Sequence, residues 1–407
     1  MKKIVVLGAG YAGIKTVVKL QKKMKNEVEI TLVDRNSYHY ETTRLPEVAT
    51  GENSYTQISY EINDVIKKSM TTFIQDEVVK INPEEKTVEL KNHPELHYDY
   101  LVLGLGFTFT SMGIPGVEQY GMPMYNPKTA IEIRDHVLNE MKEYRKDKDK
   151  KHLQIVICGA GFKACELAGA FRDAAPRYAK IAGVQPEDIR ITSFDASHRL
   201  LPMFDGKIYD YAIDAMKKQD LNIIYPSYIK ELTEDGVKYN LASDPEDEKP
   251  RELRAGTMVW MMGFIGSPVI QTSGFKQRRN RILVDDHLTV PGFENVYSLG
   301  DVSNVLQPGK KWPYPNTAQL ALSMANYAAD DIKARINGQT RPNKYAYHDL
   351  GVCVKISEHS KAAAVALGHG YKGYMASVLK KLIADRSLME TGGIKEVIAQ
   401  GEFDFWH

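Results

Sequence analysis

Two stretches of one form, about 150 residues apart, leave this chain few folds to choose from. Ile4-Val5-Val6-Leu7 runs into Gly8-Ala9-Gly10-Tyr11-Ala12-Gly13 and then into helix formers from Ile14 to Met24. Leu153-Gln154-Ile155-Val156-Ile157-Cys158 runs into Gly159-Ala160-Gly161-Phe162-Lys163-Ala164. A buried β-branched run, a G-x-G-x-x-G or G-x-G-x-x-A turn and a helix make the unit that binds a dinucleotide. Gly8 allows the turn, Gly10 lets the backbone approach a pyrophosphate, and Gly13 lets the helix pack on its strand. The helix N-terminus adds free N–H groups and partial positive charge. The second strand, Val28 to Val33, ends in Asp34, at the distance where a carboxylate accepts from an adenosine ribose. At the second turn the companion acid is Asp195, at the tip of Ile191-Thr192-Ser193-Phe194. It lies beyond the usual interval of about 20 residues, which requires a longer helix and a loop near Gly183 to Glu187. An acid there repels the extra phosphate of NADP and favours NAD, with Arg199 close by as an opposing charge.

At 407 residues the chain exceeds one ordinary core, so two nested domains and a smaller appendage are expected. The formal net charge of +1 gives no field to draw in nucleic acid. No run approaches the roughly 18 consecutive apolar residues of a membrane span. The apolar run at Ile4 belongs to the glycine motif and not to a signal peptide, so an intracellular, cytoplasmic protein is expected. Cys158, Cys165 and Cys353 lack metal-ligand spacing and cannot all pair. Reduced thiols, no metal and no iron–sulfur relay are the expectation.

After Asp34, the segment Tyr38-His39-Tyr40-Glu41-Thr42-Thr43-Arg44 reads as a polar and aromatic loop leaving the nucleotide site, and 53–68 as short helical pieces. Thr72 to Ile81 and Thr87 to Lys91 read as strands of a meander, Tyr98 to Gly104 as a buried strand, and Gly113-Ile114-Pro115-Gly116 as an interdomain crossing. A helix over 129–150 ends in charges that suit a solvated face. Asn222 to Tyr225, Ile229 to Thr233 and Val237 to Leu241 read as a second meander, and Thr257 to Gly263 leads back to the first domain. There Pro291 to Asp301 is a strand ending in Gly300-Asp301. A carboxylate at that tip can accept from ribityl hydroxyls and is costly to bury without a ligand. His39, His198, His287 and His348 share no spacing and read as surface or structural residues.

Two glycine turns followed by Ser298-Leu299-Gly300-Asp301 resemble the two-dinucleotide-binding-domain flavoproteins, whose first site holds FAD and whose second holds a nicotinamide cofactor. Glu166 beyond the second motif, Leu200-Leu201-Pro202-Met203-Phe204, Asn295 to Val302, Pro315 to Ala321, and Ile383 to Leu388 before Gly392-Gly393 narrow the likeness. With these, nearly the whole chain resembles type II NADH:quinone oxidoreductases. The resemblance implies an α/β fold of two Rossmann-like dinucleotide-binding domains. These are a discontinuous FAD domain over about 1–115 and 265–335, an inserted NADH domain over 116–264, and a C-terminal segment over 336–407 for membrane association or dimerisation. It implies FAD and NADH as cofactors, a quinone of the menaquinone or ubiquinone class as acceptor, and a homodimer peripheral on the inner face of the cell membrane that pumps no protons. Glu166 is implied at the junction of flavin and nicotinamide, and Gln319 near the quinone. The implied cofactor contacts are Gly8, Gly10, Tyr11, Ala12, Gly13, Asp34, Gly263, Asp301 and Ala318, with Gly159, Gly161, Phe162 and Asp195 at the second turn. On the residues alone, Glu166 equally suits the first turn of a helix, where an acid meets the dipole, and Gln319 a helix start.

Several departures keep other readings open. Ser323 stands where the family has a second glutamine, and Trp260-Met261-Met262-Gly263-Phe264-Ile265-Gly266 replaces its Trp-Thr-x-Gly-Val-Arg-Gly; Lys163 and Ala164 replace the usual residues of the second turn. A flavin-binding regulatory protein of weak turnover would accommodate these. Cys165 and Cys353 lie in the regions from which sulfide:quinone oxidoreductases draw a redox pair, although buried thiols also behave as small hydrophobes. Tyr371 to Arg386 sets Met375, Val378, Leu379, Leu382 and Ile383 at helical spacing among Lys372, Lys380, Lys381 and Arg386. Such a helix suits a membrane interface, or packing on its own domain or a dimer partner. Phe403, Phe405 and Trp406 suit contact with headgroups.

Overall fold

Each glycine turn springs from the centre of its own parallel sheet. The computed structural model describes residues 1–24, 27–357 and 361–403. Its larger sheet has six strands in the spatial order Thr289–Val290, Phe293–Ser298, Tyr100–Leu103, Lys2–Leu7, Val28–Asp34 and Thr71–Gln75. All pairs are parallel except the first. Ile4, Val6 and Leu7 are fully buried because both faces are covered, one by the helices Tyr11–Lys23 and Ala318–Ile336 and the other by the strands Val78–Asn82 and Thr87–Leu90 with the short helix Pro268–Thr272. The second sheet runs Met122–Pro123, Thr257–Trp260, Gln154–Cys158, Arg190–Phe194 and Asn222–Ile224, parallel throughout. Antiparallel strands Phe107–Phe109 and Phe264–Gly266 carry the chain from one sheet to the other and back. The rings of Phe107 and Phe264 meet edge to face there, 5.2 Å apart.

The helix after the first turn, Tyr11–Lys23, lies on Ala318–Ile336, where Lys19 reaches the Asn326 carbonyl and the Asp330 carboxylate, both at 2.8 Å. Thr317 caps the latter helix by accepting from the Leu320 N–H. The helix after the second turn, Phe162–Ala182, is long and ends at Gly183 in the left-handed conformation, as the late position of Asp195 requires. It packs on the C-terminal sheet of Gly351–Ser357, Lys361–Ala366 and His369–Lys372. The approach is close enough that a Cβ on Gly169 would lie 2.0 Å from the Ile356 carbonyl oxygen. Helices Tyr374–Thr391 and Ile394–Gln400 follow.

Several local expectations fail, each for a tertiary reason. The single strand expected over Thr72 to Ile81 is two strands in different sheets. Asp76 breaks it, its carboxylate accepting from the Glu77 and Asn92 N–H groups. Asn222–Ile224 joins the parallel sheet, and the meander consists of Ser227–Thr233, Gly236–Leu241 and Arg251–Arg254. The aromatic loop contains a strand, Tyr38–Tyr40, paired with Ser59–Glu61, so 53–68 is not purely helical. The C-terminal helix begins at Tyr374, and Lys372 ends a strand. Phe405 and Trp406 lie outside the described residues.

Candidate functional site

At the first turn three backbone segments stack. Gly8 has φ +92°, and a Cβ on it would lie 2.2 Å from the Gly104 carbonyl oxygen; one on Gly13 would lie 1.7 Å from the Gly8 carbonyl oxygen. Nothing lies within 4 Å of a Cβ built on Gly10, which faces open space at the helix N-terminus. Asp34 closes the turn: Oδ2 accepts from the Ala9 N–H at 2.7 Å and Oδ1 from the Asn36 N–H at 2.8 Å. Burial pushes its carboxyl above the ordinary value against the pull of these N–H groups. The turn opens on a cavity of about 390 Å³ whose wall includes Gly8, Gly10, Tyr11, Ala12 and Asp34. Across it lie Phe107 and Asp301, the latter on the turn Gly300–Val302. Desolvation pushes the Asp301 carboxyl up, and the charges of Lys163 and Arg281 draw it back. A volume of this size, an approachable glycine backbone and a desolvated carboxylate opposite fit a dinucleotide carrying a flavin.

The second turn repeats the construction. Asp195 Oδ2 accepts from the Ala160 N–H at 2.7 Å and Oδ1 from the Ser197 N–H at 2.8 Å, and nothing lies within 4 Å of a Cβ on Gly161. Arg199 is engaged elsewhere, donating to Asp205 and the Phe204 carbonyl and lying over the Tyr209 ring. Phe162 stacks edge to face on Phe204, and Lys163 Nζ sits 5.8 Å from the centre of the Phe107 ring, between the two turns.

Glu166 lies past the first helical turn, so it does not answer the helix dipole. Its buried Oε1 accepts from Lys380 Nζ at 2.6 Å and from the Lys355 N–H at 3.2 Å. Desolvation works against the Lys380 ammonium, yet Glu166 beside it holds its pKa above the ordinary value. Thr43, Glu47 and Asp173 complete a small polar cleft around this pair. Gln319 opens the helix Ala318–Ile336 with Ala318, but its amide turns to Tyr347 and Asp349. Neither lines the cavity, whose wall on this helix is Ala321. Gly263, at φ +67°, sits where the chain recrosses, its carbonyl accepting from the Thr110 N–H at 2.9 Å. Ser323 accepts from the Tyr345 hydroxyl, and Trp260 is fully buried and donates to the Thr110 carbonyl.

His39 is not a surface residue: it is buried and lines the cavity with Tyr11. Glu41 is buried beside it, and the signal for the pair is the two-residue spacing of His39 and Glu41 along and just past the strand Tyr38–Tyr40. Cys165 and Cys353 are wrapped in protein, which pushes both thiols up to about 12. Each donates to a backbone carbonyl, of Ala160 and Ala376 respectively, and neither lines the cavity.

Residues 2–325 match the family described as pyridine nucleotide-disulphide oxidoreductase. A protein named type II NADH:quinone oxidoreductase from Staphylococcus haemolyticus is 34% identical over 407 residues, 99% of each chain. Its namesake from Staphylococcus aureus is 34% identical over 405 residues, again covering 99% of each. The solved structure of NDH2 from Plasmodium falciparum in complex with NADH superposes with a TM-score of 0.85 at 20% identity, covering 98% of this chain and 97% of that one. The sulfide:quinone oxidoreductase of Aquifex aeolicus superposes at 0.79 and 21%, covering 97% and 92%. The chain therefore belongs to the pyridine nucleotide-disulphide oxidoreductases and, within that class, to the type II NADH:quinone oxidoreductases.

Proposed function

We propose that this protein holds FAD in the cavity of the first turn, receives NADH at the second, and transfers two electrons from NADH through the flavin to a quinone. One observation carries the reading: two carboxylate-locked glycine turns, each with an approachable second glycine, face a common junction marked by Phe107, Lys163 and Asp301. The flavin, when bound, supplies hydride acceptance and two-electron delivery. The chain supplies position and charge. The backbone at Gly10 and the N-terminus of Tyr11–Lys23 would hold one pyrophosphate, and Gly161 with the N-terminus of Phe162–Ala182 the other. Asp195 suits a ribose and disfavours a phosphate in its place, and Arg199, bound to Asp205, offers that phosphate no partner, which supports NADH over NADPH. Glu166 is assigned a place beside the junction, with Lys380 fixing its carboxylate. Gln319, held by Tyr347 and Asp349, is assigned to the approach of the quinone.

The C-terminal segment is assigned to a membrane surface. On helix Tyr374–Thr391 the inner face mixes Ser377, Lys380, Ser387 and Thr391 with the buried Ala376 and Leu388, while Met375, Leu382, Ile383 and Met389 are exposed. Ile394, Ile398 and Phe403 extend the apolar surface, with Arg386 and Lys395 beside it. No helix among the described residues is long and apolar enough to cross a membrane. Flotation with anionic vesicles supports this assignment, and a stable dimer that ignores vesicles gives the surface to a second copy. Anaerobic stopped-flow mixing tests the activity. NADH should bleach the flavin rapidly and a quinone analogue restore it, with NADPH slower and sulfide inert. Bleaching by sulfide but not NADH would overturn the reading.

A further inference from the structure

One wall of the flavin cavity is unused by these assignments. His39 is 1% exposed and Glu41 fully buried, beneath the first turn. Glu41 Oε2 accepts from the Tyr11 hydroxyl at 2.9 Å and from the Ser387 hydroxyl at 3.0 Å, joining the first turn to the C-terminal helix. His39 Nδ1 lies 2.8 Å from the Ala9 carbonyl oxygen. A carbonyl only accepts, so Nδ1 carries a proton, and a neutral ring then presents a bare Nε2 on its other side. That nitrogen faces Glu41 Oε1 at 3.5 Å, and neither atom has a hydrogen-bond partner among the described residues. Two buried acceptors facing each other without a donor are costly. A single proton between them satisfies both, as imidazolium beside carboxylate or as imidazole beside carboxylic acid. Tyr11, Asp34, Arg44, Tyr60 and Glu396 are the other titratable or charged groups around the pair, and none donates to either orphaned atom.

We propose that His39 and Glu41 form a buried proton-holding site that takes one proton from solvent when the adjacent cavity gains negative charge and returns it when that charge leaves. The charge state of an imidazole responds to small changes of field near neutrality. The overall reaction, NADH, one proton and quinone to NAD and quinol, consumes one solvent proton per turnover. Hydride brings two electrons and one proton to the cavity, adding one negative charge, and the solvent proton enters between Nε2 and Oε1. When both electrons and the hydride's proton pass to the quinone, the charge leaves, the held proton returns to solvent, and the quinol takes its second proton from solvent. The inference rests on FAD occupying the cavity.

The test is a spectroelectrochemical titration of bound FAD in the full-length protein at several pH values around neutrality. Each proton taken up with a two-electron reduction lowers the potential by about 30 mV per pH unit. The wild type should fall by about 60 mV per unit, for two protons. Glu41→Gln should fall by about 30. Its amide can donate to Nε2 while its oxygen still accepts from Tyr11 and Ser387. Equal slopes overturn the proposal, as does a slope that halves in Glu166→Gln but not in Glu41→Gln. If Glu41→Gln fails to retain FAD, proton uptake decides, read with an indicator dye as wild type is mixed with NADH in weak buffer. About one proton per flavin supports the site, and none overturns it. A protein that carries no FAD breaks the functional reading instead.

Discussion

The two glycine turns are one device built to different tolerances. Both use a strand-end aspartate that spends one oxygen on the turn's alanine N–H and the other on the residue two places beyond the acid. They differ in what presses on them. At the first turn Gly8 and Gly13 are squeezed by the carbonyls of Gly104 and Gly8. At the second, Gly159 meets chiefly the Met262 side chain, where an added Cβ would lie 3.1 Å from Cγ, and Ala164 takes the place of the third glycine. Backbone cannot yield and a methionine can, so the first turn excludes a side chain by contact, whereas at the second Gly159 is required chiefly by its φ of +121°. One C-terminal helix grips both: Lys380 reaches Glu166 behind the second turn, while Ser387 and Glu390 reach Glu41 and Lys15 behind the first.

The sharpest way to break the comparison is to exchange the third positions. Gly13→Ala should yield protein without flavin, because the methyl lands on a carbonyl and the overpacking costs about 3 kcal/mol or more. Ala164→Gly should keep its flavin and lose about 1 kcal/mol of stability from helix propensity. Flavin absorbance per protein and thermal unfolding read both. Next, Lys380→Met strands a buried carboxylate and should cost about 3 kcal/mol. It should slow reoxidation by quinone while leaving flavin bleaching by NADH near the wild-type rate. The aspartates follow. Each charge-assisted bond to a backbone N–H contributes about 1.5–3 kcal/mol, so Asp34→Asn should lower FAD occupancy. Asp195→Asn should keep FAD and raise KM for NADH about tenfold, a loss of about 1.4 kcal/mol. Loss of FAD in both would show that the turns are not separable.

A smaller effect separates the two grips by pH. Burial opposes ionisation of Glu390, but Lys15 and Arg386 outweigh it and hold the carboxyl below its ordinary value. A depressed folded value means stability that is present above the unfolded pKa of about 4.3 and lost as pH falls through the folded one. Hydrogen exchange should therefore find the end of the C-terminal helix loosening in that acid range, and Glu390→Gln should remove the dependence. Least of all, Cys353→Ala should leave bleaching by NADH unchanged, with stability altered by no more than the loss of a small buried group. A large loss of turnover would revive the cysteine pair.

How much of this was legible follows from the range of the interactions. Strand, turn and helix at both sites could be read because each glycine's role is local, set by φ at Gly8 or by an approach one helical turn away at Gly13. The strand-end acids were legible for the same reason, Asp195 included, since a longer helix explained its late position. The break at Asp76 was not, because its partners Asn92 and His93 arrive from the bend after Thr87–Leu90. Glu166 could be singled out by resemblance, but its partner could not be read, because Lys380 lies 214 positions later. The C-terminal helix runs over 374–391 and not 371–386, and which face turns inward was decided by partners on other elements, so Lys380 is drawn in onto Glu166 while Met375, Leu382 and Met389 are exposed. The sequence by itself determined two dinucleotide turns, their acids and the family, since these rest on short-range backbone geometry. Only the tertiary structure decided that His39 and Glu41 lie buried under the first turn with a proton's place between them, because that pairing depends on Ala9, Tyr11 and Ser387 closing around it from three separate elements.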